Sequence, residues 1–269
     1  MDFVLTYEEI KEISLEADKL GFGSIWISDH MMHPFTVEGY PKYYCHEPLT
    51  TMSALGALTN NIKLGFSTLV PVFRRPAVFA KMVTSLDILS EGRLILCIGS
   101  GWLKVEHLAY DITWIEDHDE RIDNEREAII IMKKLFTEPI VNYTGKYNQI
   151  KDAIMEPKPI QKPYPPIWIG GGSPKSKELI AELADGWLLF DMGKDIEKIR
   201  NRINVMKEKV GDRPFDFAID LEVSLDKEDF IKERVKEYID IGASLINMQF
   251  HSLKELQQFA KNIMSEFKQ

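Results

Sequence analysis

The chain has 269 residues, of which 45% are hydrophobic, and it carries a formal net charge of −9 and two cysteines. Its acidic residues are spread along the sequence rather than collected in a tail, which argues against a nucleic-acid or anionic-membrane partner. Two cysteines are too few for a disulfide framework, and no stretch approaches the roughly 20 apolar residues of a membrane span. Because the first residues also lack the basic start and apolar run of a signal peptide, we expect a cytoplasmic protein.

The first predicted element is a helix that begins after Thr6. Thr6 and Glu9 have the spacing of a capping box, and apolar residues then recur at helical spacing until Gly21. From there, short β-type segments alternate with helical ones. The predicted strands cover residues 24–28, 63–69, 93–98, 167–169, 187–190, 217–223 and 245–250. The later predicted helices cover residues 49–59, 77–89, 119–136, 175–184, 195–209, 227–240 and 252–267, with a hairpin inserted near 140–150.

This alternation predicts parallel strands joined by helices, without a linker between two domains. We therefore expect an α/β fold, a (β/α)8 TIM barrel, as a single domain over residues 1–269. An eighth strand fits only at residues 2–5, directly against the first helix, so the first strand is predicted to be shortened or missing. The alternative is an open doubly wound sheet, whose glycine-rich turn normally follows its first strand rather than a late one.

The most informative turn follows the predicted strand at 167–169. Gly170, Gly171 and Gly172 have no side chains to block a ligand, and the helix that starts near Ser173 presents unpaired N–H groups. Such a helix start attracts phosphate, although glycine is also common in strand-to-helix turns that bind nothing.

Other strand ends carry polar or glycine-rich sequences as well. Asp29 and His30 follow one strand, Ser67 and Thr68 another, and the sequence Gly-Ser-Gly-Trp at 99–102 a third. Because the carboxyl ends of barrel strands meet at one mouth, these residues predict a cofactor-binding pocket there.

These segments resemble the luciferase-like monooxygenase family, most closely its branch that depends on the deazaflavin coenzyme F420. The resemblance rests on five motifs in the expected order: Gly-Phe-Gly-Ser-Ile-Trp-Ile-Ser-Asp-His at 21–30, Glu-Pro-Leu-Thr at 47–50, Asp-Ile-Leu-Ser-Glu-Gly-Arg at 87–93, Gly-Ser-Gly-Trp at 99–102 and Pro-Ile-Trp-Ile-Gly-Gly at 166–171. It covers nearly the whole chain. It implies a homodimeric barrel that binds F420, or alternatively FMN, at its mouth and acts on a small organic substrate.

The resemblance also implies roles for individual residues. It assigns the cofactor phosphate to Gly171, Gly172, Ser173 and Ser176, and the rest of the cofactor to Asp29, Ser67, Thr68, Ser100 and Gly101. It further implies a cis peptide bond between Ser67 and Thr68. His30 and Glu106 align with catalytic positions, and Trp102 with a wall of the substrate pocket. A histidine can exchange a proton as hydride moves, and an adjacent carboxylate can fix its tautomer.

The chain also departs from the family pattern. Some members have a glutamate directly after Gly-Ser-Gly, where this chain has Trp102. The acid–base roles assigned in those members therefore cannot all be carried over to this chain. The expected reaction is hydride transfer with F420, and the alternatives are an FMN-dependent monooxygenase and a binding protein without turnover.

Two further interpretations concern individual side chains. A metal site would draw on His30, His33, Cys45 and His46, although their spacing matches no common zinc pattern. Arg74 and Arg75 are expected to be a solvated pair in a loop. The alternative is that they contact the acidic tail of F420.

Overall fold

Strands and helices alternate through the part of the chain that the computed structural model describes, residues 5–32, 45–191 and 195–267. The strands are β1 (Ser24–Ile27), β2 (Lys63–Phe66), β3 (Leu96–Ile98), β4 (Val141–Thr144), β5 (Gln149–Ala153), β6 (Ile167–Gly170), β7 (Gly186–Asp191), β8 (Asp216–Leu221) and β9 (Leu245–Asn247). The α-helices are α1 (Tyr7–Leu20), α2 (Pro48–Leu58), α3 (Pro76–Leu89), α4 (Lys104–Ala109), α5 (His118–Thr137), α6 (Pro174–Leu183), α7 (Ile196–Val210), α8 (Glu228–Ile241) and α9 (Leu253–Asn262).

Parallel pairing runs through seven of these strands. One ladder joins β1 to β2, and a second joins β3, β6, β7, β8 and β9 in that order. Isolated parallel bridges, Leu64 to Leu94 and Leu69 to Ile98, connect the two ladders. The parallel β/α arrangement expected from the sequence is therefore present, with helices packed outside the strands.

The barrel is not closed within the described residues, because β1 and β9 have no pairing with each other. The eighth strand was predicted at residues 2–5. Residues 1–4 lie outside the described ranges, and Leu5 is buried but belongs to no strand. On this side of the molecule the outer layer is continuous, since α1 packs against α9.

Side chains alternate between the two faces of the strands, as the two-residue period requires. Trp26, Cys97, Trp168 and Leu188 form a small cluster on one face, while their strand neighbours join the larger core beneath the helices. The rings of Trp26 and Trp168 stack with their centroids 5.7 Å apart.

Glycine makes room for both rings. A Cβ atom on Gly65 would lie 2.6 Å from the Trp26 ring, and one on Gly186 would lie 2.6 Å from the Trp168 ring. Cys97, Trp26 and Trp168 are all buried, so these strand side chains serve in packing.

Capping explains where several helices begin. Thr6 and Glu9 form the predicted reciprocal capping box on α1, and Gly21 ends that helix with a φ of 79°. Ser173 caps α6 by accepting a hydrogen bond from the Ser176 N–H group.

Two short elements were not predicted from the sequence. The six-residue helix α4 and the 3-10 turn Pro71–Phe73 are both too short to show a hydrophobic period. The hairpin formed by β4 and β5 occupies the predicted position but extends to Ala153, with a register shift between Val141 and Tyr143.

Candidate functional site at the carboxyl ends of the strands

A cleft of about 270 Å³ opens where β1, β2, β3 and β6 end. Parallel strands bring these ends to one edge, which is why segments far apart in the sequence meet there. Of the predicted site residues, the cleft is lined by Asp29, His30, Ser67, Thr68, Ser100, Gly101, Trp102, Glu106 and Gly171. Gly172, Ser173 and Ser176 lie next to Gly171 in the following turn and helix but do not line the cleft.

His30 and Glu106 form a hydrogen-bonded pair in the cleft. His30 Nδ1 lies 3.1 Å from Glu106 Oε1 and 3.2 Å from Oε2, and the Met31 N–H group donates to Oε2 at 3.0 Å. Glu106 is only 2% exposed, although a helical glutamate is usually solvated. A carboxylate held in this way accepts the Nδ1–H bond and so fixes the histidine tautomer.

Asp29 pairs with Arg74 and not with the adjacent His30. Its carboxylate receives two hydrogen bonds from Arg74, at 2.7 and 3.1 Å, and one from the Val70 N–H group at 2.9 Å. Burial raises the pKa of Asp29, and the Arg74 guanidinium opposes that rise. The carboxylate that meets His30 therefore belongs to Glu106, and Asp29 anchors the loop that follows β2.

The expectation that Arg74 is solvated is wrong. Its side chain is 9% exposed and bridges Asp29 to Glu47, whose Oε1 accepts from Arg74 Nη2 at 2.5 Å. Burial acts to raise the pKa of Glu47, but hydrogen bonds from Thr50 and Arg74 lower it overall. Arg75 is exposed, as expected.

Ser67 and Thr68 meet in the cis peptide bond that the family resemblance implies. The Ser67 hydroxyl group donates to Asp220 Oδ2 at 2.9 Å, which joins the end of β2 to β8. Thr68 lies against two glycines, since a Cβ atom on Gly99 would be 2.3 Å from Thr68 Oγ1 and one on Gly170 would be 2.7 Å from Thr68 Cγ2. Only glycine at these positions allows the segments after β2, β3 and β6 to approach so closely.

The glycine turn after β6 is open on its ligand-facing side. Gly171 has a φ of 137°, and a Cβ atom on Gly172 would have nothing within 4 Å. The N–H groups of Gly172 and Ser173 make no hydrogen bond to any described residue. The Ser173 and Ser176 hydroxyl groups lie 2.9 Å apart. Two unpaired amides and two hydroxyls at the start of α6 can hold an anion.

Aromatic side chains border the cleft. The Trp102 ring stands nearly perpendicular to His30 with a centroid distance of 6.0 Å and is 61% exposed. His118, at the start of α5, and Phe190, near the end of β7, also line the cleft and were not predicted from the sequence. No sequence motif includes either residue. The one available signal for Phe190 was its position at the end of a predicted strand.

The described residues give little support to a metal centre. His33 lies outside them, and His46 Nε2 lies 3.3 Å from the Leu5 carbonyl oxygen. Burial raises the pKa of the Cys45 thiol to about 11, so the protonated thiol is favoured over the metal-binding thiolate. Within the described part of the chain, no group of three or more His, Cys, Asp or Glu side chains has metal-binding geometry. Within that same part, no helix combines the length and apolar character needed to cross a membrane.

Comparison with curated proteins identifies relatives at about 30% identity. An F420-dependent glucose-6-phosphate dehydrogenase of Microbacterium testaceum (strain StLB037) is 33% identical over 192 residues, which cover 70% of this chain and 54% of that protein. The protein of the same name from Amycolatopsis mediterranei (strain U-32) is 32% identical over 198 residues, covering 72% and 56%. An FMNH(2)-dependent dimethylsulfone monooxygenase of Pseudomonas putida is 30% identical over 171 residues, covering 64% and 46%. The chain thus spans about half the length of the curated relatives it matches.

Solved structures share the fold over nearly the whole chain. An F420-dependent secondary alcohol dehydrogenase in complex with an F420-acetone adduct superposes with a TM-score of 0.83 at 16% identity, covering 97% of this chain and 96% of that one. The coenzyme F420-dependent tetrahydromethanopterin reductase of Methanopyrus kandleri has a TM-score of 0.80 at 16% identity, covering 99% and 97%.

A family model also matches almost from end to end. It is the model of the luciferase-like monooxygenases, and the match extends over residues 4–268. The chain belongs to the luciferase-like monooxygenase family.

Proposed function

We propose that the protein is an F420-dependent oxidoreductase that transfers hydride between the deazaflavin and a small organic substrate. The observation that carries the proposal is the cleft itself, in which the partly exposed His30 and the buried Glu106 lie beside the Ser67–Thr68 peptide and the glycine turn. Several curated relatives at 31–33% identity are named as F420-dependent dehydrogenases, which favours F420 over other redox cofactors.

The residues at the start of α6 suit the cofactor phosphate. The amides of Gly172 and Ser173 are unpaired among the described residues, and Ser173 and Ser176 add hydroxyl donors. In this proposal Gly171 lets the phosphate approach the backbone, while Asp29, Ser67, Thr68, Ser100 and Gly101 shape the floor beneath the ring.

F420, when bound, supplies a centre that accepts or releases two electrons and a proton as hydride. His30 takes the accompanying proton from the substrate, or returns it, through the ring nitrogen opposite Glu106. Glu106 accepts from Nδ1 and holds the ring in one tautomer, so it is a positioning residue. Trp102 forms a substrate wall beside His30.

A second candidate is an FMN-dependent monooxygenase. The FMNH(2)-dependent relative from Pseudomonas putida favours it, because its 30% identity is close to that of the F420-dependent relatives. The glycine turn does not distinguish them, because both cofactors carry a phosphate. A binding protein without turnover is the third alternative.

Titration of the purified chain with F420 and with FMN tests the proposal. We expect saturable F420 binding, followed by the change in coenzyme fluorescence, and F420 reduction by at least one member of a panel of secondary alcohols. Preferential binding of FMN would support the monooxygenase instead. F420 binding without reduction by any donor would support the third alternative, and binding of neither cofactor would contradict all three.

A further inference from the structure

A second cavity, of about 520 Å³, lies between the start of α3 and helix α5. Its walls come from the 3-10 turn at 71–73, the loop 111–115, helix α5 and the turn of the hairpin. Among the described residues, Ser100 alone lines both this cavity and the cleft of the proposed function. The two spaces share this one wall residue and are otherwise lined by different residues.

Glu125 is a buried side chain in the cavity wall, and one of its carboxyl oxygens lacks a hydrogen-bond partner among the described residues. It is 4% exposed, and its Oε1 atom makes no hydrogen bond to any described residue. Burial raises the pKa of Glu125 to about 8, so the carboxyl group is protonated at pH 7. A protonated carboxyl group offers an O–H donor to whatever occupies the cavity.

Arginines line the same cavity as Glu125, although the chain as a whole carries −9. Arg75 is exposed at the rim, and Arg121 lies in the wall with its guanidinium 4.5 Å from the Trp114 ring centroid. The Nε atom of Arg121 has no hydrogen-bond partner among the described residues. Asp111 is the acidic side chain that offsets this charge, while Arg74 is already neutralised by its carboxylate partners.

The remaining walls combine apolar side chains with uncharged polar ones such as Thr113, Asn124 and Asn148. Pro71, Phe73, Ile112, Ile115 and Ala128 line the cavity together with the ring of Tyr147. A ligand that suits this space has an apolar body and one anionic head, because apolar walls favour the body and the arginines favour the head.

We propose that this cavity binds a small organic carboxylate with an aromatic or branched apolar body. The ligand carboxylate accepts hydrogen bonds from Arg121 Nε and the protonated Glu125, and Arg75 adds attraction at the rim. The apolar body packs against Phe73 and Ile112. Binding here does not depend on a redox cofactor.

Three probes of one shape and different charge test the assignment by isothermal titration calorimetry of the cofactor-free chain. We expect benzoate to bind saturably at pH 7, benzyl alcohol to bind at least tenfold more weakly and benzylammonium not to bind. Absence of saturable benzoate binding would overturn the proposal, and so would equal or tighter binding of the alcohol or the ammonium.

Matched arginine variants locate the binding. Arg75→Gln should weaken benzoate binding about three- to fivefold, the size of an exposed ion pair. Arg126→Gln, also on α5 but paired with Glu182 and not among the cavity-lining residues, removes the same charge and should leave the affinity unchanged. Equal effects of the two variants would show a nonspecific charge effect and would refute the assignment.

The proton on Glu125 provides a second test. The other titratable groups that face the cavity are Arg74, Arg75, His107, Asp111, Arg121 and Tyr147, and the buried thiol of Cys97 on β3 interacts electrostatically with Glu125. Burial lowers the pKa of His107, so that imidazole is neutral at pH 7. Benzoate affinity should fall about tenfold between pH 7 and pH 9 as Glu125 ionises, and Glu125→Gln should bind benzoate with no such fall. A fall of the same size in Glu125→Gln would contradict the role of Glu125.

This proposal and the proposed function can fail independently. Gly172→Asp lies outside the second cavity and should abolish F420 binding while leaving benzoate binding intact. Loss of benzoate binding in Gly172→Asp would contradict the separation of the two sites.

Discussion

His30 and Glu106 lie 76 residues apart in the chain and meet because each follows a different strand of the same barrel. The sequence identified both positions only through the family motifs, since no spacing rule pairs residues on separate strands. The contact has a mechanistic consequence, because a buried carboxylate at 3.1 Å can hold one imidazole tautomer.

Removing His30 should slow hydride transfer more than it weakens cofactor binding. His30→Ala should lower kcat about 100-fold or more, the usual size of a general acid–base contribution, and added imidazole should restore part of the rate. Because Glu106 acts through His30, the double variant with Glu106→Gln should be no slower than His30→Ala alone. The measurement is steady-state F420 reduction with an alcohol identified in the panel. The control is Glu116→Gln, which alters an exposed residue of the loop between α4 and α5.

Additive losses in the double variant would contradict the positioning role of Glu106. A fall in F420 affinity as large as the fall in kcat would assign His30 to cofactor binding instead.

Glu125 should make the stability of the protein depend on pH. Its pKa is about 8 in the folded chain and near 4.5 when solvated, so the folded state holds a proton that the unfolded state has lost between these values. Stability therefore falls as pH rises from about 4.5 to about 8. Glu125→Gln should remove this slope and raise the free energy of unfolding by up to about 3 kcal/mol at pH 7, at about 1.36 kcal/mol per pH unit.

Urea denaturation at several pH values measures this effect. Glu178→Gln, an exposed glutamate on α6, should leave the pH dependence unchanged. A slope in Glu125→Gln as steep as that of the unaltered chain would refute the protonated, buried state of Glu125.

The burial of Arg74 and its two ion pairs could not be predicted from the sequence. Two consecutive arginines in a loop are usually solvated, and nothing in the local sequence shows that Asp29 and Glu47, from two other segments, enclose one of them. Such partners become visible only when the fold brings the three segments together.

At the scale of elements, the turn between β6 and α6 was the most predictable part of the site. Its three glycines and the capping serine are local signals, and both the strand and the helix begin within two residues of the predicted positions. Helix α4 was not predicted, because its six residues span less than two turns and show no period. That omission mattered, since α4 carries Glu106 into the cleft and His107 into the wall of the second cavity.

The glycine turn gives a test of phosphate placement. Gly172→Asp adds a carboxylate where a Cβ atom has open space around it, so the fold should persist while F420 affinity falls at least about 100-fold through steric block and like-charge repulsion. Gly23→Asp is the matched control, because its Cβ atom is equally unobstructed and it lies before β1, at the opposite end of the strand.

Fluorescence titration and thermal unfolding, performed together, separate the outcomes. Unchanged F420 affinity in Gly172→Asp would place the phosphate elsewhere. A similar loss of affinity in Gly23→Asp would show that added negative charge, and not the turn, is responsible.

At the scale of the whole molecule, the alternation of strands and helices was sufficient to predict the barrel. The seven strands predicted from residue 24 onward are present, and each helix of the outer layer lies close to its predicted range. Closure could not be predicted in the same way, because the first strand had only residues 2–5 available to it and residues 1–4 lie outside the described ranges. The homodimer implied by the family resemblance stays a prediction.

In the proposed function, cofactor binding and proton transfer use different segments of the barrel mouth. The proposed phosphate donors lie in the turn after β6, whereas His30 and Glu106 lie in the segments after β1 and β3. Binding and chemistry are thus assigned to different loops of one scaffold, which lets either change without the other.

The most direct test of the central claim is a crystal structure of this chain in complex with F420. Our account predicts the phosphate within hydrogen-bond distance of the Gly172 and Ser173 amides, and the ring over the Ser67–Thr68 peptide with His30 facing its reactive edge. A complex in which F420 leaves these amides unoccupied and binds with its ring outside the cleft would contradict the account.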